Sequence, residues 1–167
     1  SERVWIVHRL DRETSGLMVF AKTEAAKHSL QAHWSKVKKH YLAVVEGSPP
    51  ADHGVLSSHL DESGPFMVYS APPSKRTRHA VTHYRVIKRS TTRTLIEVTP
   101  VTGRRNQIRV HLADAKCPIV GDHKYEAQTN PARRLGLHAS FLQFIHPLTG
   151  ESLRFDSPLP QVLARLQ

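Results

Sequence analysis

Apolar and polar positions along this chain follow two different periods, which predict strands and helices in turn. Runs that are short and apolar, or that alternate at every second residue, are typical of strands. Polar turns and Gly/Pro-containing breaks separate these runs. They predict strands at residues 4–7 (a buried one), 16–22, 40–46, 80–87, 92–98, 136–145 and 152–155, with a hairpin around residues 55–59 and 66–70.

Three further stretches carry the helical period. Residues 24–37 place apolar side chains on one face, and Thr23 suits the N-cap because its hydroxyl can accept a hydrogen bond from a backbone N–H. Residues 104–115 show the same spacing. Pro160 suits the first turn of a terminal helix that reaches Leu166.

The order of these elements predicts an α+β fold. Many strands follow one another with about three helices between them, without the regular strand–helix alternation of a doubly wound sheet. We therefore expect one large, mostly antiparallel mixed sheet flanked by helices. The length of 167 residues and the lack of an internal repeat fit a single domain over residues 1–167.

The charge of the chain changes this picture by suggesting a partner. The net charge is +10, and it is unevenly spread. Residues 51–70 contain three acidic side chains and no Lys or Arg, whereas residues 71–110 contain ten Lys or Arg and one acidic side chain. A concentrated basic surface attracts phosphates, so a nucleic-acid partner is favoured over an unspecific basic surface.

Cysteine usage and the ends of the chain bear on its compartment. The single cysteine, Cys117, cannot form an internal disulfide, so we expect a small, partly buried side chain and a reducing, cytoplasmic compartment. No run of about 18 apolar residues predicts a membrane span. The start, SERVW, has no initiator Met and does not resemble a signal peptide, so we expect a trimmed N-terminus or a piece of a longer chain.

Several common catalytic motifs are absent from the sequence. It contains neither GxxxxGK[ST] nor GxGxxG, so no nucleotide cofactor is predicted. The twelve histidines form no HExxH and there is no CxxC, so no metal site is predicted. Ser15 lacks the GxSxG context of a hydrolase nucleophile, although a Ser–His–Asp arrangement stays open.

Asp11 is the first candidate for chemistry. It lies in a polar turn between two apolar runs, with Arg9 and Arg12 beside it. It could simply stabilise the turn together with Thr14. Alternatively, a carboxylate at the exit of a buried strand can be kept ionised in a cleft and act as a nucleophile or a base. That second interpretation needs a nearby cation, because an unpaired buried carboxylate is costly.

The segment VTGRRNQIRVHLA, residues 101–113, offers such a cation. On the predicted helix, Arg105 and Arg109 are one turn apart and share a face, while Ile108 and Leu112 point to the core. Basic side chains at the start of a helix oppose its dipole, which favours a functional reason for them. Contact with phosphate or pairing with a carboxylate would supply one, and a solvated basic face is the alternative.

Six segments in the same order resemble the signatures of RluA-type pseudouridine synthases. The first, HRLDRETSG at residues 8–16, is similar to HRLDxxTSG of that family. The others are KKHYLAVVEG at 38–47, HAVTHYRVI at 79–87, VTGRRNQIRVHLA at 101–113, PIVGDHKY at 118–125 and LGLHASFLQFIHPLTG at 135–150. Three features depart from the pattern: Asn106 stands where the family usually has His, Glu126 replaces a Gly, and the family's N-terminal strand with its KPxG motif does not precede Ser1.

The resemblance implies an enzyme that converts uridine in ribosomal or transfer RNA to pseudouridine without a cofactor or metal. It implies that Asp11 attacks C1′ or removes the 2′ proton, that Tyr41 stacks on the uracil and takes the C5 proton, and that Arg109 pairs with Asp11. Leu137 would form an apolar pocket wall. The side chains expected to contact RNA are Arg9, Lys38, Lys39, Arg104 and Arg105. We expect a monomer that has no membrane partner.

Two other functions stay open on the sequence. A catalytically weak RNA-binding module would keep the fold and the basic face; intact Asp11, Tyr41 and Arg109 argue against it, and the absent N-terminal segment argues for it. A carboxylate-based glycosidase would need a second catalytic acid near Asp11. Glu13 is the nearby candidate, and no motif supports it.

Overall fold

The computed structural model describes residues 3–166, in which ten strands and three α-helices alternate irregularly. The strands are β1 (Trp5–Ile6), β2 (Ser15–Gly16), β3 (Phe20–Ala21), β4 (Lys38–Glu46), β5 (His53–Asp61), β6 (Tyr69–Ala71), β7 (Thr77–Arg89), β8 (Arg93–Pro100), β9 (Leu137–Ile145) and β10 (Ser152–Asp156). The helices are α1 (Glu24–Ala32), α2 (Gln107–Asp114) and α3 (Gln161–Ala164), with 3₁₀ turns at Trp34–Lys36 and His123–Tyr125.

One eight-stranded sheet forms the centre of the molecule. Its main path runs β10-β9-β4-β8-β7-β5-β6 with antiparallel neighbours throughout, and β2 joins it by pairing in parallel with β9. Strands β1 and β3 form a separate two-stranded ribbon. The predicted α+β architecture with a mostly antiparallel mixed sheet is confirmed.

Helix α2 packs across the middle of the sheet. Its residues Ile108 and Leu112 join a core cluster that includes Val45 of β4, Ile96 of β8 and Leu137 of β9. These side chains come from central strands, so the helix and the strands bury their apolar faces against each other. This contact fixes the start of α2 relative to β4 and β9, which matters for the site below.

Helix α1 begins where the sequence predicts it. The Thr23 hydroxyl accepts a hydrogen bond from the Ala26 N–H at 3.2 Å, and Leu30 packs against Val7 and Ala21 of the N-terminal ribbon region. The helix ends at Ala32, earlier than the predicted residue 37, and a 3₁₀ turn follows. Trp34 begins this 3₁₀ turn, and its ring stacks on that of His8.

Other predicted boundaries also need correction. The strand expected at 16–22 is divided into β2 and β3, because Gly16 has φ +113° and the chain changes partner from β9 to β1. The expected buried strand at 4–7 is only partly buried, since Ile6 is 60% exposed. The helix expected over 104–115 begins at Gln107, and Arg104 and Arg105 precede it.

The remaining predicted strands are confirmed with small changes of boundary. The strands at 40–46, 80–87, 92–98, 136–145 and 152–155 correspond to β4, β7, β8, β9 and β10, and the hairpin near 55–70 corresponds to β5 and β6. The terminal helix is shorter than expected and spans Gln161–Ala164. Within residues 3–166, no helix is both long and apolar enough to cross a membrane.

Candidate active site

A cavity of about 410 Å³ lies where the N-terminal turn, strands β4 and β9 and the start of α2 meet. It brings together side chains that are far apart in the sequence, Asp11, Tyr41 and Leu137. Basic residues also line it: Arg9, Lys39, Arg104 and Arg105. A carboxylate, an aromatic ring, an apolar wall and a basic rim therefore share one concave site.

The turn that carries Asp11 is held by backbone contacts. The Thr14 N–H donates to the Asp11 carbonyl at 2.9 Å, so the carboxylate of Asp11 is not needed to close the turn. Gly16 pairs with Ala139 of β9, and a Cβ on Gly16 would lie 2.2 Å from the Ala139 carbonyl oxygen. Only glycine fits this close approach, which pins the turn against the sheet.

The Asp11 carboxylate is half-buried and faces several charges. Burial raises its pKa, and the positive charge of Arg109, the Asn106 backbone N–H and the charge of Arg9 oppose that rise. The negative charge of Asp122 raises the pKa further. Asp11 is therefore a carboxyl group whose ionisation depends on its donors and nearby cations, as expected for a reactive carboxylate in a cleft.

Arg109 lies near Asp11 but is held by another acid. Its Nε and Nη2 donate to the two carboxylate oxygens of Asp122 at 2.8 and 2.7 Å, and its Nη2 lies 3.6 Å from Glu13. Both Arg109 and Asp122 are buried. Among the ion pairs within residues 3–166, none joins Arg109 to Asp11 directly, so the expected direct pair is wrong. The charge of Arg109 still opposes the rise in the pKa of Asp11 through space.

The side-chain amide of Asn106 lies between Asp11 and Tyr125. With its nitrogen toward Asp11, the amide donates to both carboxylate oxygens at 3.2 Å and accepts from the Tyr125 hydroxyl at 2.9 Å. Asn106 has φ 52° and directly precedes helix α2. This left-handed residue ends the extended loop before the helix, which explains why the helix begins later than predicted.

Tyr41 reaches the cavity from a β-bulge. The register between β4 and β9 shifts between His40 and Tyr41, and bulges commonly redirect a side chain next to an active site. Burial, together with the charge of Asp11, raises the pKa of Tyr41 to about 12. The phenol is therefore protonated at neutral pH. Leu137, 2% exposed, lines the same cavity from β9.

His8 and Trp34 also line the cavity, and sequence reasoning gave neither a role there. Their rings stack with centroids 4.3 Å apart, and the Lys39 ammonium lies 5.7 Å from the Trp34 ring centroid. His8 accepts a hydrogen bond from the Val19 N–H at 3.0 Å. Burial and then the charge of Lys39 lower the pKa of His8 to about 4, so His8 is neutral at physiological pH. Trp34 carried only a helical spacing signal, which indicated core.

Two of the basic residues expected to contact RNA are placed differently. Arg105 does not share a helix face with Arg109: its Nη2 donates to the carbonyls of Glu62, at 3.0 Å, and Gly64, so it anchors a neighbouring loop at the cavity edge. Lys38 lines a different cavity of about 670 Å³, between α1 and the β9–β10 turn. Arg9 and Arg104 are exposed at the first cavity.

Ser15 has a histidine partner, but not in a hydrolase arrangement. Its hydroxyl lies 2.8 Å from His138 Nδ1, and His138 Nε2 lies 3.0 Å from the Ser157 hydroxyl. A carboxylate would be needed where Ser157 stands, and Arg134 donates to Ser15 from the other side. The group therefore supports the Asp11 turn. Within residues 3–166, no cluster of three or more His, Cys, Asp or Glu side chains could hold a metal ion.

Comparison with known proteins identifies the family. Residues 1–114 match the family model described as RNA pseudouridylate synthase. The chain belongs to this family. It is 38% identical to the ribosomal large subunit pseudouridine synthase D of Xanthomonas campestris, over 98% of this chain and 54% of that protein. It is also 38% identical to the uncharacterized RNA pseudouridine synthase YlyB of Bacillus subtilis, of which it covers 55%.

Solved structures of synthase domains share the fold. Human RNA pseudouridylate synthase domain containing 4 superposes with a TM-score of 0.81 and 28% identity, covering 96% of this chain and 73% of that one. Human RNA pseudouridylate synthase domain containing 1 gives the same TM-score at 23% identity, covering 93% and 69%, which supports the fold alone. The chain spans about half the length of the curated relatives it matches.

Proposed function

We propose that this chain isomerises uridine to pseudouridine in structured ribosomal RNA. The observation that carries the proposal is the half-buried Asp11 carboxylate in a cavity that also holds Tyr41 and a basic rim. Membership of the synthase family and relatives named for the large ribosomal subunit support this reaction and this RNA. Transfer RNA is the second substrate class to be tested.

The reaction needs no oxidant or reductant. The N1–C1′ bond of uridine breaks, the uracil turns in place, and a C5–C1′ bond forms. C5 loses one proton and N1 gains one, so atoms and charge balance. Asp11 either attacks C1′ or takes the 2′ proton, and both routes need the ionised carboxylate. The target base must leave its stack to reach the cavity.

Tyr41 begins the proposed reaction protonated, so it must donate its hydroxyl proton before it can accept another. Because its pKa is raised to about 12, the neutral phenol is the form present when the reaction begins. In our proposal Tyr41 stacks on the uracil, donates its hydroxyl proton to N1 of the departing base, and then accepts the C5 proton. The loss of charge on Asp11 during the reaction removes one of the causes of the raised pKa.

The remaining side chains bind and surround the nucleotide. Leu137 forms the apolar wall, and Arg109 lowers the pKa of Asp11 through space while held by Asp122. The exposed guanidinium groups of Arg9 and Arg104, with Lys39, suit phosphate contacts. Arg9, beside Asp11, is also suited to fill the space left by the flipped base. Arg105 holds a neighbouring loop, and Lys38 lines the second cavity, so neither is assigned a phosphate contact here.

The test measures proton release from C5. Large-subunit ribosomal RNA and transfer RNA are transcribed with uridine tritiated at C5, and tritium released to water is followed with wild type and Asp11→Asn. We expect release with wild type and a loss on the order of 10³-fold or more in the variant. Asp52→Asn, at an exposed acid remote from the cavity, serves as the matched control and should match wild type.

Base-resolved mapping of the same RNA then identifies the modified uridine. If wild type and Asp11→Asn bind RNA alike and neither releases tritium, the chain is an RNA-binding module and the proposed activity is wrong. If Asp11→Asn releases tritium at the wild-type rate, the reaction stands and Asp11 is not its carboxylate.

A further inference from the structure

A directed chain of hydrogen bonds runs toward the Asp11 carboxylate. The Val68 N–H donates to the Tyr125 hydroxyl oxygen at 3.4 Å. That hydroxyl is then free to donate its own proton to the Asn106 amide oxygen at 2.9 Å. The amide nitrogen in turn donates to both oxygens of Asp11, each at 3.2 Å. Each donor in this series of hydrogen bonds therefore has an acceptor.

The direction of the Asn106 amide follows from its neighbours. Turned the other way, the amide oxygen would accept from Arg109 Nη1 at 3.5 Å, at the limit of a hydrogen bond, but would face the Asp11 carboxylate oxygens. Acceptors would then oppose acceptors, and the Tyr125 proton would lose its partner. Amide direction in proteins is assigned from such networks. The orientation with nitrogen toward Asp11 gives partners to both Asp11 oxygens and to the Tyr125 proton, and it gives up only the 3.5 Å contact with Arg109 Nη1.

The backbone holds the Asn106 amide in this place. Asn106 is 7% exposed and has φ 52°, a left-handed conformation that Asn tolerates better than most residues. The next residue, Gln107, is locked by hydrogen bonds from Thr102 at 2.7 Å and from the Arg104 N–H at 3.0 Å. The loop before α2 is therefore fixed on both sides of the amide.

We propose that Asn106, held by Tyr125, is the positioning residue that aims the Asp11 carboxylate into the cavity and favours its ionised form. The inference rests on the proposed function and assigns Asn106 the direct contact that the sequence predicted for Arg109. Arg109 is committed to Asp122 by two hydrogen bonds.

The side-chain amide of Asn106 suits this task for a physical reason. Its two N–H groups donate one hydrogen bond to each Asp11 oxygen, which fixes the plane of the carboxylate as well as its charge state. Hydrogen bonds to the charged form of a carboxylate favour that form, and the charges of Arg109 and Arg9 act in the same direction. Asn106 thus orients Asp11, while the cations stay at a greater distance.

Other charges also face Asp11, and they must stay constant in a test of pH dependence. They are Arg9 and Arg109, which favour its ionisation, Asp122, which opposes it, Glu13, which contacts Arg109, and Tyr41 across the cavity. The variants below leave all five unchanged. A shift in the pH profile can then be attributed to the amide.

The experiment is a pH–rate profile of tritium release from the C5-tritiated ribosomal RNA transcript. In wild type, activity falls as pH drops through the pKa of Asp11, because the ionised form reacts. Asn106→Ala removes the two side-chain hydrogen bonds and keeps the backbone N–H, so the pH at which activity falls should rise by about one unit. We expect kcat to drop about tenfold to hundredfold, since a hydrogen bond to a charged group is lost, while KM stays within about twofold.

Three further variants separate positioning from structure. Asn106→Asp keeps the shape of the side chain but places an acid beside Asp11. Of the variants, it should therefore raise the pH at which activity falls the most and lose the most activity. Asn106→His restores an N–H donor and should recover part of the wild-type rate. Tyr125→Phe keeps the ring beneath Arg109 but removes the hydroxyl that orients the amide, and should shift the profile in the same direction by less.

The outcomes distinguish this inference from the proposed function. If Asn106→Ala and Asn106→Asp lose activity at the same low pH as wild type and differ only in thermal stability, Asn106 is structural and the inference is wrong. If wild type itself releases no tritium, or Asp11→Asn is fully active, the proposed function or the role of Asp11 fails instead. Melting temperatures of all variants exclude loss of the fold as the cause of lost activity.

Discussion

Single side chains in this site are tuned by their neighbours more than by their own chemistry. Tyr41 is an ordinary strand residue in sequence, yet a bulge turns it to the cavity, and burial with the charge of Asp11 raises its pKa to about 12. Arg109 is directed away from the carboxylate that the sequence assigns to it, because its bidentate pair with Asp122 keeps it from Asp11. The local environment therefore sets the protonation of Tyr41 and the partner of Arg109.

Tyr41→Phe separates stacking from proton transfer. The ring stays, so we expect binding to the ribosomal transcript within about twofold of wild type by filter retention. The hydroxyl is lost, so tritium release should fall by about 10²- to 10⁴-fold. Tyr84→Phe, in the core away from the cavity, is the matched control and should stay active. Unchanged release in Tyr41→Phe would restrict Tyr41 to stacking.

At the scale of elements, the strands were predictable and the loop ends were not. Apolar runs and alternation identified β4, β7, β8 and β9 because each buries several side chains, whereas β10, which buries none, was identified by the turn that precedes it. The start of α2 was missed, because a left-handed Asn106 and the side chain of Gln107 set it through contacts from distant strands. The Arg109–Asp122 pair was missed for the same reason, since spacing in sequence does not say which of two acids a buried guanidinium reaches.

Glu126 gives a stability prediction at this scale. It ends the 3₁₀ turn at His123–Tyr125 with φ 69°, a left-handed conformation that favours glycine. Glu126→Gly should relieve the left-handed strain, offset in part by glycine's backbone entropy. We expect a gain of about 0.5–1 kcal/mol in the free energy of unfolding, or roughly 1–4 °C in Tm. Glu126→Ala keeps the Cβ and should give no such gain; an equal gain in both would point to the lost charge.

For the whole molecule, charge is divided between internal pairing and the cavity rim. Several basic side chains of the positively charged stretch are engaged within the protein: Arg85 pairs with Glu97, and Arg89 pairs with Asp52. The basic residues that line the cavity come from three separate segments, near residues 9, 39 and 104. RNA binding should therefore depend on a few rim residues more than on the net charge of +10.

This division can be measured through salt dependence. Binding of the ribosomal transcript should weaken with salt, and Arg104→Gln should reduce the slope of log K against log salt by about 0.7–1, as one phosphate contact is lost. Arg154→Gln is the matched control, because Arg154 is paired with Asp156 on β10, and its slope should stay at the wild-type value. Equal slopes for Arg104→Gln and wild type would place the phosphate contacts elsewhere.

The position of strand β9 late in the chain determines when the cavity can form during synthesis. It lies between β4 and β10 and also holds the Asp11 turn through Ser15 and Gly16, so the site joins segments 123 residues apart. Pairing over such a separation is slow to form, because the entropy of closing the intervening chain opposes it. During synthesis, a nascent chain that already contains Asp11, Tyr41 and Arg109 lacks the strand that shapes the cavity. The translating ribosome must therefore extend the chain past residue 145 before the Asp11 turn has the strand that holds it.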